Sequence, residues 1–443
     1  MNIHKLILNN FKSVSRLDID LTENGSNVIC FVGENGSAKT SILNLIAEAL
    51  VSNSQLKFPD SPEERKRYRL ISPNEIKTGE QFYSMEIEYK GTDNKTNYFK
   101  KLVGSKGLSR EVYSDAIKGV DLSSHYYDER SSEDSINPNL SYLFKNVFLI
   151  RPSQRYEFDG MDPLAVNHKS EITSREGLAN EMPYPFSVSH SGKQIQDLIL
   201  ELYFDAFVGY QAAGGGIQKI TELLEKVTGK IFGRMQITQS PYRQVLFSKV
   251  GKIKNLSQGE LDLLVTVVSI ITQQLHLFRQ YSVQVEHDVK IDQFFNVPGI
   301  VIIDEVDLHL HPRAQERYLK TLTEIFPNIQ FVISTHSPFV IRGLPSGSVV
   351  VNLPSGNIFD DNFATMDIDS ITNIIFKYEG GFSSEFLGKL KKFKRMLVSE
   401  EKDTPKLKEM YIELSSSSSG RDELDLYLAS YASEELSNTI KGA

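Results

Sequence analysis

The chain has 443 residues, 40% of them hydrophobic and 24% charged, with a formal net charge of −8 and a pI near 5.7. At roughly 150 residues per domain this is two to three domains, or one large domain with insertions, and the acidic balance excludes a surface that clamps nucleic acid throughout, while a local basic groove stays compatible with it. The single cysteine, Cys30, excludes an intrachain disulfide and fits a reducing, cytoplasmic compartment; residues 1–11 lack a signal-peptide core and no apolar run approaches the ~20 residues of a membrane span, so a soluble protein with no membrane attachment is expected.

In chain order, Leu17, Ile19 and Leu21 alternate with polar residues and predict a half-buried strand. Val28 to Val32 is continuously apolar, the pattern of a strand covered on both faces. A glycine-rich turn follows, then a helix from about Thr40 to Val51. Tyr83, Met85, Ile87 and Tyr89 alternate again, and the turn residues Gly91 to Asn94 lead into a second strand near Tyr98 to Val103, a hairpin. Lys145 to Arg151 predicts another buried strand. Ile195, Leu198, Ile199, Leu202 and Tyr203 form one helical stripe in a short arm that Ala212 to Gly216 interrupts as a loop tip; it is too broken for a long coiled coil. Gly299 to Ile303 and Ile329 to Ile333 are buried-strand runs separated by a helical Arg313 to Ile325, the alternation of a parallel α/β sheet. Beyond about Gly356 the pattern turns helical and charged, with Phe386, Leu387, Leu390, Phe393 and Leu397 as an apolar stripe. Ser415 to Gly420 reads as a low-complexity linker before one more short helix.

Four short motifs carry the chemistry. Gly33-Glu34-Asn35-Gly36-Ser37-Ala38-Lys39-Thr40-Ser41 sits between a predicted strand and a predicted helix, the context of a phosphate-binding P-loop. Its N–H groups would cradle phosphates at a helix N-terminus, Lys39 would reach the β- and γ-phosphates, and the Thr40 hydroxyl would help hold Mg²⁺. Ala38 stands where such loops usually have glycine, and its Cβ is expected to strain the loop. Leu256-Ser257-Gln258-Gly259-Glu260 precedes an apolar helical run; Ser-x-x-Glu is a capping box, and a helix N-terminus behind Ser-x-Gly can also grip a phosphate. The strand Gly299 to Ile303 ends in Asp304-Glu305, which puts two carboxylates at the carboxyl end of the sheet: Asp304 for Mg²⁺ and Glu305 as general base toward water. His336 follows the strand Phe331 to Ser334, where an imidazole can sense a γ-phosphate or simply be a satisfied structural residue.

In this order the motifs resemble the ABC-type ATPase head of SMC and RecF-like proteins, as does the opening Leu8-Asn9-Asn10-Phe11-Lys12-Ser13. The resemblance covers roughly residues 1–155 and 245–355. It implies an α/β P-loop fold with a mixed sheet and flanking helices, an ATP and Mg²⁺ requirement, and ATP hydrolysis. It also implies head-to-tail pairing in which Ser257 of one copy faces the nucleotide on Lys39 of the other, giving a homodimer or a higher closed homo-oligomer. By the same resemblance Gln154 is the candidate to touch Mg²⁺ and the attacking water. The expected layout is a first lobe over 1–155, a helical insertion over 156–250, a second lobe over 251–355 and a helical C-terminal region over 356–443.

Asp304-Glu305-Val306-Asp307-Leu308-His309-Leu310-His311-Pro312 resembles, more narrowly, the prokaryotic antiphage-defence ATPases, among them the overcoming-lysogenisation nucleases, Gabija, and the ATPase subunits of PARIS and Septu. Asp307 would then lie at the dimer interface. A metal site of Asp307, His309 and His311 is the minor alternative, lacking a fourth ligand. No nuclease module is recognised after His336, since Asp367 and Asp369 read as a turn or helix start and Asp422 and Asp425 fall in a helical context. The expectation is a sensor or regulatory ATPase that answers a phage protein and controls a separate nuclease effector. A RecF-like DNA-repair ATPase and a nucleotide-gated scaffold with little turnover are the alternatives; a transporter ATPase fits the His-Leu-His-Pro run poorly. The basic stretches Arg65 to Arg69 and Lys389 to Arg395 could meet nucleic acid or an acidic protein, the second more simply being the solvated face of an amphipathic helix.

Overall fold

The continuously apolar runs become the centre of a sheet, and the alternating runs become a separate antiparallel layer. The computed structural model describes residues 2–22, 26–55, 73–90, 96–104, 127–131, 146–153, 186–187, 195–239, 243–284, 291–378, 383–399 and 403–442. Its strands in chain order are β1 (Asn2–Phe11), β2 (Val14–Asp20), β3 (Val28–Gly33), β4 (Phe82–Lys90), β5 (Thr96–Gly104), β6 (Tyr127–Ser131), β7 (Val147–Arg151), β8 (Phe186–Ser187), β9 (Met235–Ile237), β10 (Val245–Phe247), β11 (Gly251–Lys252), β12 (Gly299–Ile303), β13 (Ile329–Ser334), β14 (Val349–Leu353) and β15 (Asn357–Phe359). The helices are α1 (Lys39–Gln55), α2 (Ile195–Phe207), α3 (Gln211–Thr228), α4 (Gln258–Gln284), α5 (Pro312–Ile325), α6 (Pro338–Arg342), α7 (Ile368–Ile374), α8 (Ser384–Val398), α9 (Thr404–Leu414), α10 (Ser418–Tyr431) and α11 (Glu434–Lys441).

The main sheet has the order β15-β14-β3-β13-β12-β7-β8. It is parallel throughout except for the β14–β15 edge hairpin. Every residue of β3, β7, β12, β13 and β14 is buried, as strands covered on both faces must be. A second, antiparallel sheet runs β2-β1-β4-β5-β6; its alternating Leu6, Leu8, Leu17, Ile19, Tyr83, Met85 and Ile87 share one core cluster with Ile29, Ile42, Ile302 and Val332. Buried Gln330 stitches the two sheets, accepting from Ile3 N–H at 2.7 Å and donating to the Ile3 and Ser26 carbonyls. Buried Lys101 of β5 pairs with buried Glu48 of α1, which ties the antiparallel sheet to the helix behind the P-loop.

Three local expectations are corrected. Ala212 to Gly216 is not a loop tip but the first turns of α3, where Gly216 serves packing: a Cβ on it would lie 2.9 Å from Ile271 Cγ2 of α4. Asn357–Phe359, past Gly356, is still a strand. The run Ser415 to Gly420 is no linker: α9 ends at Leu414, Ser417 accepts from Gly420 N–H, and α10 begins at Ser418. Two short helices follow the expected linker, not one. Helix α4 is apolar and long enough to cross a membrane by composition, but 89% of its most apolar window is buried inside the protein, as befits a core helix.

The chain divides into two compact units, Met1–Ile371 and Thr372–Ala443. The second has its own core of Leu390, Phe393, Leu397, Leu407, Met410, Tyr411, Leu414, Leu424, Leu428 and Ile440. Its helices each begin on a capping side chain: Ser383, Asp403, Ser417 and Ser433 accept from Phe386, Lys406, Gly420 and Leu436 N–H.

Candidate functional site

The loop from Gly33 to Ala38 joins the buried strand β3 to α1. Gly33 has φ 144°, and a Cβ there would lie 2.3 Å from the Leu353 carbonyl oxygen of β14, so only glycine lets the chain turn this close to its neighbour. Ala38 has φ 76°, the left-handed region, and is buried; its carbonyl nonetheless accepts the first helical bond, from Ile42 N–H at 2.9 Å. Asn35 and Gly36 are exposed, Ser37 is buried, and Ser41 lies half-buried on the first turn of α1. The Lys39 ammonium folds over the loop and donates to the Gly33 and Glu34 carbonyls at 2.9 Å each. Burial pulls its pKa below the usual lysine value, against the opposing pull of Asp304, Glu305 and Asp307. A cation held mainly by neutral carbonyls beside a turn of N–H groups is arranged for an anionic ligand.

The carboxylates arrive from 264 residues away. Thr40 Oγ1 donates to Asp304 Oδ2 at 2.8 Å. The Ser334 hydroxyl donates to Asp304 Oδ1 and accepts from Glu305 N–H at 2.8 Å. The parallel register Ile303↔Ile333 dictates this, since it ends β12 and β13 at the same level. Glu305 itself has φ 49°, a conformation that non-glycine residues rarely adopt. His336 keeps solvent contact beside them; crowding by its surroundings and then the Lys39 ammonium hold its imidazole pKa below the usual value, against Asp307, Glu305 and Asp304. A cavity of about 220 Å³ opens between Thr40, Leu43 and Asn44 of α1, Ile302 and Asp304 of β12, and Ile150 to Ser153 at the end of β7. The hydroxyl of Thr40 and the carboxylate of Asp304 are hard oxygen donors already within 2.8 Å of each other, a pair that suits Mg²⁺ together with phosphate oxygens.

Ser257 and Glu260 form the reciprocal capping box that the spacing implied: Ser257 N–H donates to Glu260 Oε2 at 2.8 Å, and Glu260 N–H to Ser257 Oγ at 3.4 Å. Burial would raise the Glu260 carboxyl pKa, but the Ser257 N–H and the Lys230 ammonium at 2.9 Å hold it below the usual glutamate value. Gly259 is required by space: a Cβ would lie 2.4 Å from the His309 carbonyl oxygen. Within one chain the Ser-x-Gly turn therefore rests on the Asp307–Leu310 segment. Ser257 stays exposed. Asp307 Oδ1 accepts from the Thr335 hydroxyl at 2.5 Å and from His336 N–H at 3.3 Å.

His311 caps α5 by accepting from Arg313 N–H, and no group of three His, Cys, Asp or Glu able to hold a metal occurs among the described residues. Asp367 accepts from Ser370 N–H at 2.8 Å at the start of α7, and Asp425 pairs with Lys441 and Tyr411. Lys389 pairs with Glu385 and Glu413, and Lys394 lies 5.0 Å from the Tyr427 ring, so part of this basic stretch is engaged within its own unit. Gln154 and Arg65 to Arg69 lie outside the described residues. Sequence reasoning gave no role to Ser334, Thr335 or Gln315, nor to the buried ion pair of Arg151 with Asp262, which joins the end of β7 to α4. Ser334 and Thr335 stood in a motif already singled out; Gln315 is one polar residue among many on a helix and carries no signal.

The chain is similar in sequence to known ATPases. A family model described as an AAA domain matches residues 5–232, just over half of the chain. A second AAA-domain family, described together with the AbiEii toxin of type IV toxin–antitoxin systems, matches residues 241–342. The Retron Vc95 probable ATPase of Vibrio cholerae is 25% identical over 93% of this chain and 86% of its own length. The Septu protein PtuA of Bacillus mycoides is 27% identical over 87% of this chain, which spans only 45% of that protein. Among solved structures, an SMC head domain from Pyrococcus furiosus is 14% identical, covering 81% of this chain and 95% of its own, with a TM-score of 0.43. By sequence, the chain belongs to the AAA-domain ATPases, and the Retron Vc95 and Septu PtuA proteins are among its relatives.

Proposed function

We propose that this ATPase works as the sensor or regulatory subunit of a two-component antiphage system, hydrolysing ATP in sites completed between copies of the chain. The observation that carries the assignment of the site is the direct Thr40–Asp304 hydrogen bond, which joins the P-loop to the Asp-Glu strand end beside His336. In this reading the loop N–H groups of Gly33 to Ser41 and the Lys39 ammonium bind the phosphates. Thr40 and Asp304, with Gln154, would hold Mg²⁺, which when bound would neutralise charge on the phosphate oxygens. Glu305 orients and takes the proton of the attacking water, and His336, kept neutral by its depressed pKa, hydrogen-bonds the γ-phosphate. Exposed Ser257, on the capped N-terminus of α4, meets the nucleotide of a second copy, and Asp307 lies near that interface; a dimer or higher closed assembly follows. A separate nuclease effector and a phage-derived trigger are proposed from the resemblance of the Asp304–Pro312 run to antiphage-defence ATPases. The lobes, insertion and helical C-terminal region are proposed with the boundaries drawn from the sequence.

A second reading, a nucleotide-gated scaffold, is favoured by the left-handed Ala38. ATP turnover and mass, measured on the wild type, Lys39→Ala and Glu305→Gln, separate the two. Turnover lost in both variants, with Glu305→Gln retaining ATP in a dimeric or larger species, is the expected result. Tight ATP binding without wild-type turnover would favour the scaffold. Co-expression with neighbouring genes tests the defence role: no stable partner and no phage protection would overturn it.

A further inference from the structure

Gln315, on the first turn of α5, sits where the loops of the site meet. Its Nε2 donates to the Asp307 carbonyl at 3.2 Å and to the Leu310 carbonyl at 2.9 Å. Its Oε1 accepts from the Ser337 hydroxyl at 2.6 Å. Only the NH₂ end of an amide can face two carbonyls, so the orientation is settled by its partners. Ser337 N–H donates to Thr335 Oγ1 at 3.0 Å, and Thr335 Oγ1 donates to Asp307 Oδ1. The bonds close a ring: Asp307, Thr335, Ser337, Gln315 and back to Asp307.

That ring joins the loop after β12, which carries Glu305, to the loop after β13, which carries His336. It also adjoins strained backbone, with His309 between the two carbonyls that Gln315 holds and Glu305 two residues before Asp307. Glu305 has φ 49° and His309 φ 62°, both non-glycine residues in the left-handed region, and such conformations persist only where their surroundings over-determine them. The two carbonyls held by Gln315 flank His309 on either side, and the His309 carbonyl is the group against which Gly259 packs.

We propose that Gln315 is a positioning residue for ATP hydrolysis: it locks the Glu305 loop to the His336 loop, and both to the Ser257–Glu260 turn, so that base and γ-phosphate contact are presented in one geometry. This rests on the roles proposed for Glu305 and His336. Gln315 touches neither nucleotide nor water; it acts through the loops, so its loss falls on the chemical step more than on ATP binding.

The test compares the wild type with Gln315→Met, which keeps length and volume but removes all three hydrogen bonds, and with Gln315→Glu, which keeps the acceptor for Ser337 and sets an oxygen against the two carbonyls. Steady-state ATP turnover, ATP affinity and melting temperature are measured on each full-length chain. Both variants are expected to lose about tenfold or more in kcat while KM for ATP changes by less than about threefold. Ser337→Ala combined with Gln315→Met should cost less than the sum of the two single losses, as members of one network do. Wild-type kcat in Gln315→Met, or a kcat loss that only parallels lost ATP affinity and lost melting temperature in both variants, would overturn the proposal. Glu305→Gln in the same series separates the two levels. If it retains turnover, the reading of the site itself fails; if it is inactive while Gln315→Met is unimpaired, only the positioning role fails.

Discussion

Within the C-terminal unit and within the nucleotide unit, the characteristic bonds are of opposite range. In the C-terminal unit each helix is started by the residue in front of it, three positions from its partner: Ser383 with Phe386, Asp403 with Lys406, Ser417 with Gly420, Ser433 with Leu436. In the nucleotide unit the decisive bonds span most of the chain, Thr40 to Asp304 and Gln330 to Ile3, and the loops they fasten include Ala38, Glu305 and His309 at positive φ. Local bonds relax the backbone into what its sequence already prefers. Long-range bonds can hold a conformation that the local sequence disfavours, and a site that must place charges to within a fraction of an ångström uses the second kind.

The largest expected effect breaks the comparison from the helical side. Phe393 is fully buried in the C-terminal core, so Phe393→Ala should cost about 3–5 kcal/mol. Hydrogen exchange should show the α8–α11 amides losing protection while those of β3, β12 and β13 keep theirs. Equal loss in both sets would mean that the two units do not unfold separately. A smaller effect of opposite sign is expected in the P-loop. Ala38→Gly removes a left-handed Cβ at φ 76° and should stabilise the protein by up to about 1 kcal/mol in denaturant unfolding, net of the chain entropy of glycine. It should also raise turnover if strain at this position limits it. A destabilised Ala38→Gly would show that the alanine is preferred there.

The smallest effect concerns a local bond in the nucleotide unit, the Ser257–Glu260 capping box. The Glu260 carboxyl is held below its ordinary value of 4.5, so its contribution to stability is present above that pH and is lost as pH falls through the lower, folded value. Glu260→Gln keeps a side-chain acceptor for Ser257 but loses the charge that meets Lys230. It should cost about 1 kcal/mol or less at pH 7, and the gap from wild type should close as the pH drops below 4.5. A gap that stays constant with pH would assign the effect to packing instead.

Much of this could be read from residue order. The buried strands announced themselves as unbroken apolar runs, and Gly33 to Thr40 was legible as a strand-to-helix turn because glycine spacing and a following helix are local properties. The capping box was legible for the same reason. What misled were glycines and serines taken at their usual meaning. Gly214 to Gly216 form part of α3, where Gly216 lies too close to Ile271 of α4 for a side chain, and Ser415 to Gly420 make a tight corner where they suggested a spacer. Both depend on what packs alongside, which no window of sequence contains.

The sequence by itself determined the family, the glycine-rich turn between β3 and α1, the acidic strand end and the capped start of α4, because each is set by side chains a few positions apart. Only the tertiary structure decided that Thr40 meets Asp304, that Ser334 and Thr335 brace the two aspartates, that Gly259 rests on the His309 carbonyl and that Gln315 ties the loops together. The first two follow from the parallel alignment of β12 with β13 and of β13 with β3, which sets the strand ends level and brings Thr40 and Asp304, 264 positions apart, within hydrogen-bonding distance.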